Sequence, residues 1–374
     1  MSLLAAIVAF FLIAVVLWDS FETIVLPRRV TRKFRLTRFF YHYSWLPWSA
    51  LARHLRPGNR RESFLSFYGP LSMFLLFSIW ALTMIFAFAL LHWAIGSPLA
   101  SYTAGATFWT DLYMSGTTFF TLGLGDVTPR TGPARVFTVM EAGIGFGFLA
   151  MVITYLPVLY EAFSRREVNI SLLDARAGSP PTAGELIRRH FDSSGLENLA
   201  EFLKKWEASA AELMESHLSY PVLCYYRSQH SNQSWLAALA TVMDSCALLI
   251  AYSENPIRWQ AGLTFAISRH AIVDLAQVLH VPPQEDSDRL ADGDLKNLLT
   301  LLSHAGIRAR DGSRCDQEFA DLRRMYDPYL NALSKRLLMP LPQWEIPSVR
   351  TDNWQTSAWK RGTTDSTGAL IEEH

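Results

Sequence analysis

Residues 104–129 read AGATFWTDLYMSGTTFFTLGLGDVTP, and this stretch decides how the rest of the chain is arranged. Its first part, Ala104 to Phe120, is apolar and aromatic, but it also contains Thr110 and Asp111. A helix that faces lipid needs about 20 apolar residues, so this part is too short and too polar to span a bilayer. We therefore predict a short helix that dips back into the membrane, followed by an irregular loop. Both must be surrounded by protein, because irregular backbone is not tolerated against lipid.

Three apolar stretches flank this segment and predict transmembrane helices. Leu3 to Trp18 and Leu71 to Leu91 precede it, and Val136 to Tyr160 follows it. A cleaved signal peptide is the alternative for the first stretch, but basic residues follow that stretch instead of preceding it. We expect Asp19 and Glu22, which share a face of the first helix, to pair with Arg28, Arg29 or a neighbouring arginine.

Basic residues predict the direction of the spans. The loop between the first two spans contains Arg28, Arg29, Arg32, Lys33, Arg35, Arg38, Arg53, Arg56, Arg60 and Arg61. The loop between the second and third spans has Arg130 and Arg135 as its only basic residues. The positive-inside rule therefore places residues 27–65, and everything after about residue 161, in the cytoplasm. We expect a multi-pass protein of the cell (inner) membrane with its N-terminus outside.

The overall composition gives no support to several other classes of protein. The formal net charge is zero, which gives no argument for nucleic-acid binding. The cysteines Cys224, Cys246 and Cys315 have neither zinc-site nor disulfide spacing. We find no P-loop, nucleophile elbow or HExxH pattern, so we predict that the chain is not an enzyme.

The loop that follows the dipping helix resembles the filter of the pore-loop potassium channels, a family with two transmembrane helices per pore. That filter reads Thr-Val-Gly-Tyr-Gly-Asp, and this chain has Thr121-Leu122-Gly123-Leu124-Gly125-Asp126. Leucine replaces the usual valine at position 122 and the usual tyrosine at position 124. The resemblance covers about residues 65–165 and implies a homotetramer, because each subunit supplies a quarter of the filter.

The physics of ion dehydration explains this filter pattern. Potassium sheds its water where backbone carbonyls replace it, and the resemblance implies K⁺ sites at the carbonyls of Thr121, Leu122, Gly123 and Leu124. Glycine permits the positive φ angles that turn successive carbonyls to one axis. Leu124 cannot make the hydrogen bond of the usual tyrosine, so we predict a filter that is more deformable than the consensus.

The third span contains further candidates. In the resembling family the inner helix bends at a glycine, so Gly143, Gly145 and Gly147 are hinge candidates, with close helix packing as the alternative. Glu141 is an ionisable group inside a span, which marks a functional position. Many family members carry a pore-helix glutamate behind the filter, but the matching position here is Thr117. We expect Glu141 to support the filter through the Thr117 or Thr118 hydroxyl, or else to bind a backbone carbonyl in its protonated form.

The second half of the chain predicts a helical cytoplasmic domain without an assigned ligand. Amphipathic patterns predict helices near 183–193, 195–216, 232–253, 257–279, 287–304 and 314–338. The run from Trp235 to Tyr252 is nearly long enough to span a membrane, but it contains Asp244 and fits a buried bundle helix better.

The predicted organisation has six parts. They are an N-terminal transmembrane helix (1–27), a basic interfacial linker (28–65), a pore domain (66–165), a second linker (166–182), a helical cytoplasmic domain (183–340) and a polar tail (341–374). The predicted function is a tetrameric potassium-selective channel in the lipid bilayer, gated by inner helices coupled to the cytoplasmic domain, with no cofactor beyond permeant K⁺. The alternatives are a weakly selective cation channel and a non-conducting membrane sensor or scaffold. The sequence does not identify a ligand or partner for the cytoplasmic domain.

Overall fold

The protein is a nearly all-helical membrane protein that divides into two compact units. The computed structural model describes residues 2–26, 35–96, 99–101, 107–193, 196–230, 232–254, 256–285, 288–290, 292–304 and 312–344. One unit comprises residues 1–47 and 70–160, and the other comprises residues 48–69 and 161–374. Arg28 and Arg29, the expected partners of the first helix, lie outside the described residues.

The first unit contains the long apolar helices. Its elements are α1 (Ser2–Ser20), a π-helical turn (Phe21–Val25), the first part of α2 (Leu36–His54), most of α4 (Tyr68–Ile95), β1 (Leu99–Ser101), α5 (Phe108–Phe119), β2 (Val127–Pro129) and most of α6 (Gly132–Ala177). The spans Leu3–Val25, Asn59–Ile95 and Gly132–Ala177 are long and apolar enough to cross a membrane. Large apolar side chains on α1, such as Leu3 and Phe11, are mostly exposed, as suits a helix in contact with lipid.

A short two-stranded sheet joins the chain just after α4 to the chain just before α6. Strands β1 and β2 are antiparallel, with Leu99 opposite Pro129 and Ser101 opposite Val127. Helix α5 lies between these strands in sequence, so the segment from α5 to the loop at 121–126 leaves and returns at the same place. The sheet therefore joins the two ends of the segment that contains α5 and the loop at 121–126.

The second unit is a helical bundle. Its elements are α3 (Asn59–Ser66), α7 (Ala183–Ser193), α8 (Leu196–Ser219), a 3-10 turn (Pro221–Tyr225), α9 (Trp235–Tyr252), α10 (Ile257–Val278), α11 (Asp292–His304), α12 (Ser313–Arg324) and α13 (Asp327–Leu337), together with the ends of α2, α4 and α6 that fall within its range. Six helices were predicted in this region, and the last of them is divided into α12 and α13 near Tyr326.

Helix α9 is the centre of the bundle rather than a fourth span. It is apolar enough to cross a membrane, but 94% of it is buried inside the protein. Asp244 in its middle is 1% exposed, and both of its oxygens accept hydrogen bonds from the Arg289 guanidinium, at 2.7 and 2.9 Å. Tyr326 Oη also donates to this carboxylate at 2.7 Å. Paired in this way, the buried charge is compatible with a packed core.

The segment from Trp48 to Gly69 packs with the C-terminal helices. Trp48 stacks on Phe64 at 4.5 Å between ring centroids, and the Tyr68 ring lies 5.1 Å from the Tyr225 ring. Glu62 pairs with Arg227, at 3.4 Å between carboxylate and guanidinium. The predicted basic linker therefore contains residues that belong to the core of the second unit.

Candidate ion-conduction site

The pore helix α5 is defined at both ends by hydrogen bonds. Thr107 caps its N-terminus, and its side chain and that of Thr110 form a reciprocal capping box. At the other end, the Thr117 carbonyl accepts a hydrogen bond from Leu122 N at 2.8 Å, and the Thr118 carbonyl accepts one from Thr121 N at 2.9 Å. The last turn of α5 therefore holds the first residues of the loop. Thr117 and Thr118 contact the loop through backbone oxygens.

The loop Thr121–Asp126, named here the candidate filter, has an alternating backbone. The φ angle is +56° at Thr121, +55° at Gly123 and +78° at Gly125, whereas Leu122 and Leu124 between them do not have positive φ. A positive φ raises the conformational energy of a residue with a Cβ but not that of glycine. The two glycines therefore occupy positions that require a positive φ. Positive φ at Gly123 and Gly125 is what the sequence predicted for the glycines of this loop.

The C-terminal end of the candidate filter is bonded to the pore helix. Tyr113 Oη donates a hydrogen bond to Asp126 Oδ2 at 2.9 Å. The sequence analysis did not single out Tyr113. Its spacing could have identified it as a candidate, because Tyr113 lies one helical turn before Thr117.

Glu141 contacts Ser115, and the expected contact with Thr117 or Thr118 is wrong. Glu141 is fully buried, and its Oε1 makes a hydrogen bond with Ser115 Oγ. The Thr117 hydroxyl instead donates to the Met114 carbonyl at 2.9 Å. The reason is geometric, because residues two positions apart on an α-helix point in nearly opposite directions. Ser115 faces Glu141, so Thr117 cannot.

The three glycines of the inner helix α6 differ in their surroundings. A Cβ at Gly145 would lie 2.0 Å from the Phe119 carbonyl oxygen, whereas a Cβ at Gly143 or Gly147 would meet nothing within 4 Å. Gly145 is therefore a packing glycine that lets α6 approach the backbone at the end of the pore helix. Helix α6 continues without interruption through all three positions, from Gly132 to Ala177.

The acidic residues at the end of the first span, Asp19 and Glu22, have partners among the described residues. Asp19 is 4% exposed and accepts hydrogen bonds from Thr37 Oγ1 at 2.7 Å and from Trp80 Nε1 at 3.1 Å. Glu22 pairs with Arg35 at 3.7 Å, which agrees with the expectation of a neighbouring arginine. These bonds tie α1 to α2 and α4, so the acidic pair has a structural role.

A second group of buried polar atoms lies in the second unit, around Arg166 in the C-terminal part of α6. The Arg166 guanidinium donates to the Leu223 and Tyr226 carbonyls, both at 3.0 Å, and lies 3.1 Å from His217 Nε2. His217 Nδ1 lies 2.9 Å from the Leu213 carbonyl, so Nδ1 carries the proton and Nε2 accepts from the arginine. Burial, together with the adjacent guanidinium, holds the pKa of His217 well below its usual value.

Comparison with known proteins agrees with this geometry. The ion channel family model matches residues 72–161. The match confirms the resemblance, so the segment from α4 to α6 is an ion-channel pore domain of the two-helix, potassium-channel-like type. The family also points away from an enzyme.

The chain is also similar to a membrane protein. The chain is 25% identical to a Bacillus subtilis protein described as uncharacterized membrane protein YdjJ, over 63% of this chain and 71% of that one. No solved structure matches the chain. Among the described residues, no group of three or more His, Cys, Asp or Glu side chains is placed to hold a metal ion.

Proposed function

We propose that this chain is one subunit of a homotetrameric, potassium-selective channel of the cell membrane. Ions cross passively along the candidate filter, down their electrochemical gradient, and no cofactor beyond permeant K⁺ is required. The N-terminus lies outside and the C-terminal domain lies in the cytoplasm. The observation that carries the proposal is the alternation of positive φ at Thr121, Gly123 and Gly125 directly after a pore helix.

The alternation supports ion coordination by the backbone. A dehydrated cation needs several oxygens at once, and rings of carbonyls from Thr121 to Leu124 supply them without charged side chains. In a loop of ordinary handedness, successive carbonyls point to opposite sides and half of them are lost to the ion. Thr121 adopts positive φ although it has a Cβ, which is a cost that a functional backbone tolerates.

The exposure of the loop in a single chain supports assembly around an axis. Leu122 and Leu124 are 62% and 61% exposed in one subunit, although both are large apolar side chains. One chain provides one loop, and a ring of carbonyls requires several copies in closed symmetry. Four copies, as in the family that the pore domain resembles, cover these leucines and close the ring.

The contacts within the second unit support gating by the C-terminal domain. Tyr226 contacts both α4 and α6. Its ring lies against Gly69 at the start of α4, and its carbonyl accepts a hydrogen bond from Arg166 in the C-terminal part of α6. A Cβ at Gly69 would lie 2.6 Å from the Tyr226 ring. A shift of residues 221–227 would therefore act on the start of α4 and on the C-terminal part of α6 together.

The test is the reversal potential of purified protein in planar bilayers with potassium on one side and sodium on the other. The proposal expects a reversal near the potassium equilibrium value. Gly123→Ala places a Cβ on a residue with φ of +55°, at a cost of about 1–2 kcal/mol in each subunit, and should abolish selectivity. Gly132→Ala is the matched control, because a Cβ at this position would meet nothing within 4 Å and its φ is not in the positive range.

Two other results lead to other functions. A reversal near zero in the wild type indicates a cation channel of weak selectivity, which the loss of the tyrosine hydroxyl at Leu124 motivates. No current from tetramers that are intact in detergent indicates a non-conducting sensor or scaffold. A monomeric or dimeric particle contradicts the proposal directly.

A further inference from the structure

A buried polar cluster lies where the outer helix, the pore helix and the inner helix meet. It consists of His92 on α4, Asp111 and Ser115 on α5, and Glu141 on α6. Ser115 and Glu141 have no exposed surface, His92 is 1% exposed and Asp111 is 6% exposed. None of these side chains belongs to the candidate filter, and burying so many polar groups is costly unless they are paired.

The protons available to Ser115 limit the charge of Glu141. A serine hydroxyl has one proton to donate, and Ser115 Oγ contacts two acceptors, the Ile85 carbonyl at 2.8 Å and Glu141 Oε1. If Glu141 is ionised, both acceptors compete for the single proton. If Glu141 is protonated, its O–H donates to Ser115 Oγ, and Ser115 donates to Ile85. Only the protonated form allows hydrogen bonds at both contacts of Ser115 Oγ, while Glu141 Oε2 has no hydrogen-bond partner within the described residues.

The position of His92 agrees with a neutral acid. His92 Nε2 lies 3.6 Å from Glu141 Oε2, whereas a charged pair with a hydrogen bond is about 2.7–2.9 Å apart. Neither ring nitrogen of His92 has a hydrogen-bond partner within the part of the chain that the structure describes. A buried ion pair that is not joined by a hydrogen bond does not recover its desolvation cost, so two neutral groups fit the spacing better. Asp111, one turn before Ser115, is the other buried acid that interacts electrostatically with His92.

We propose that Glu141 is protonated in the conducting protein, and that the chain Glu141–Ser115–Ile85 is a proton-dependent support of the filter. Ser115 lies on the pore helix, two and three residues before Thr117 and Thr118, whose carbonyls hold the first amides of the candidate filter. Loss of the proton breaks the chain at Ser115 and frees the pore helix to move. Glu141 is thus a positioning residue, and this role rests on the proposed channel function.

The experiment is a titration of current and selectivity between about pH 5 and pH 9 in the full-length protein. The wild type should lose current about 5- to 30-fold as pH rises, the change expected from the loss of one buried hydrogen bond. Glu141→Gln has a permanent neutral donor, so its current should persist and no longer depend on pH. Glu141→Leu lacks the donor and should have reduced current at every pH.

Further results separate the alternatives. His92→Gln should keep the wild-type titration, whereas a charged His92–Glu141 pair predicts that this variant shifts it. A titration in Glu141→Gln that equals the wild type overturns the proposal. Infrared difference spectra of wild type against Glu141→Gln at neutral pH give a readout that does not need conduction. The carbonyl band of a protonated carboxyl group should disappear in the variant, and its absence from the wild type overturns the protonation even if the channel conducts.

Discussion

Replacing Gly145 with alanine should disturb the filter from behind, because the inner helix there touches the backbone of the pore helix. The added Cβ would lie 2.0 Å from the Phe119 oxygen, 2.8 Å from its carbonyl carbon and 3.0 Å from its Cα. Ordinary contact begins near 3.4 Å, so the two helices must separate by about 1.4 Å at this point. The atoms that resist are main-chain atoms, which cannot rotate away as a flexible side chain can.

This separation has a predictable cost. Overpacking typically costs about 1–3 kcal/mol, and a clash between backbones belongs at the upper end of that range. Because 1.4 kcal/mol corresponds to a factor of ten, we expect a loss of about 10- to 100-fold in the population of conducting protein. Phe119 lies two residues before Thr121, so the displacement should reach the candidate filter and lower potassium selectivity as well.

The assay is the single-channel open probability and the reversal potential of Gly145→Ala, with Gly143→Ala as control. The control changes the same helix in the same way, but nothing lies within 4 Å of its Cβ, and alanine is the better helix former. We expect the control to be equal to the wild type in selectivity. The reasoning fails if Gly145→Ala conducts normally while Gly143→Ala does not, since that pattern identifies a hinge at Gly143 rather than a packing contact at Gly145.

Three more outcomes are expected. Tyr113→Phe removes the hydrogen bond to Asp126, so current should decay a few-fold faster during sustained opening, and unchanged decay would show that the bond does not hold the filter. His217 has a lowered pKa, so the unfolded chain binds a proton that the native protein does not. The free energy of unfolding should therefore fall below about pH 6.5, by up to about 1.4 kcal/mol per pH unit. Faster hydrogen exchange in residues 213–227 would measure this loss. The pH dependence should be absent in His217→Gln. Asp244→Asn breaks a buried salt bridge and should destabilise the C-terminal domain by about 3–5 kcal/mol, as measured by thermal unfolding, whereas a loss below 1 kcal/mol would contradict the pairing.

The local patterns of the sequence predicted the pore domain well. The unusual length and polarity of the segment from Ala104 to Phe120 predicted a re-entrant helix, and α5 is that helix. The glycines at 123 and 125 predicted positive φ, because glycine is the residue type that adopts this conformation without a steric penalty. Asp244 predicted that α9 is a buried bundle helix, since a charge in the middle of an apolar helix needs a protein partner.

Contacts between distant parts of the chain could not be predicted in the same way. The partner of Glu141 depends on the rotation of α5 about its axis, and one position decides between Ser115 and Thr117. Gly145 was one of three equivalent glycines until the structure placed Phe119 against it. The association of Glu62 with Arg227 joins residues far apart in sequence, and neither local periodicity nor composition carries that information.

The composition of the second unit has a consequence for biogenesis. The residues from Trp48 to Gly69 leave the ribosome well before Tyr225 and Arg227, which complete their packing. At about 5–20 residues per second, this interval is on the order of ten to thirty seconds. During that time Tyr225 and Arg227, which pack with Tyr68 and Glu62 in the folded unit, have not yet been synthesised. A chain that ends before Tyr225 therefore cannot complete the packing of the segment from Trp48 to Gly69.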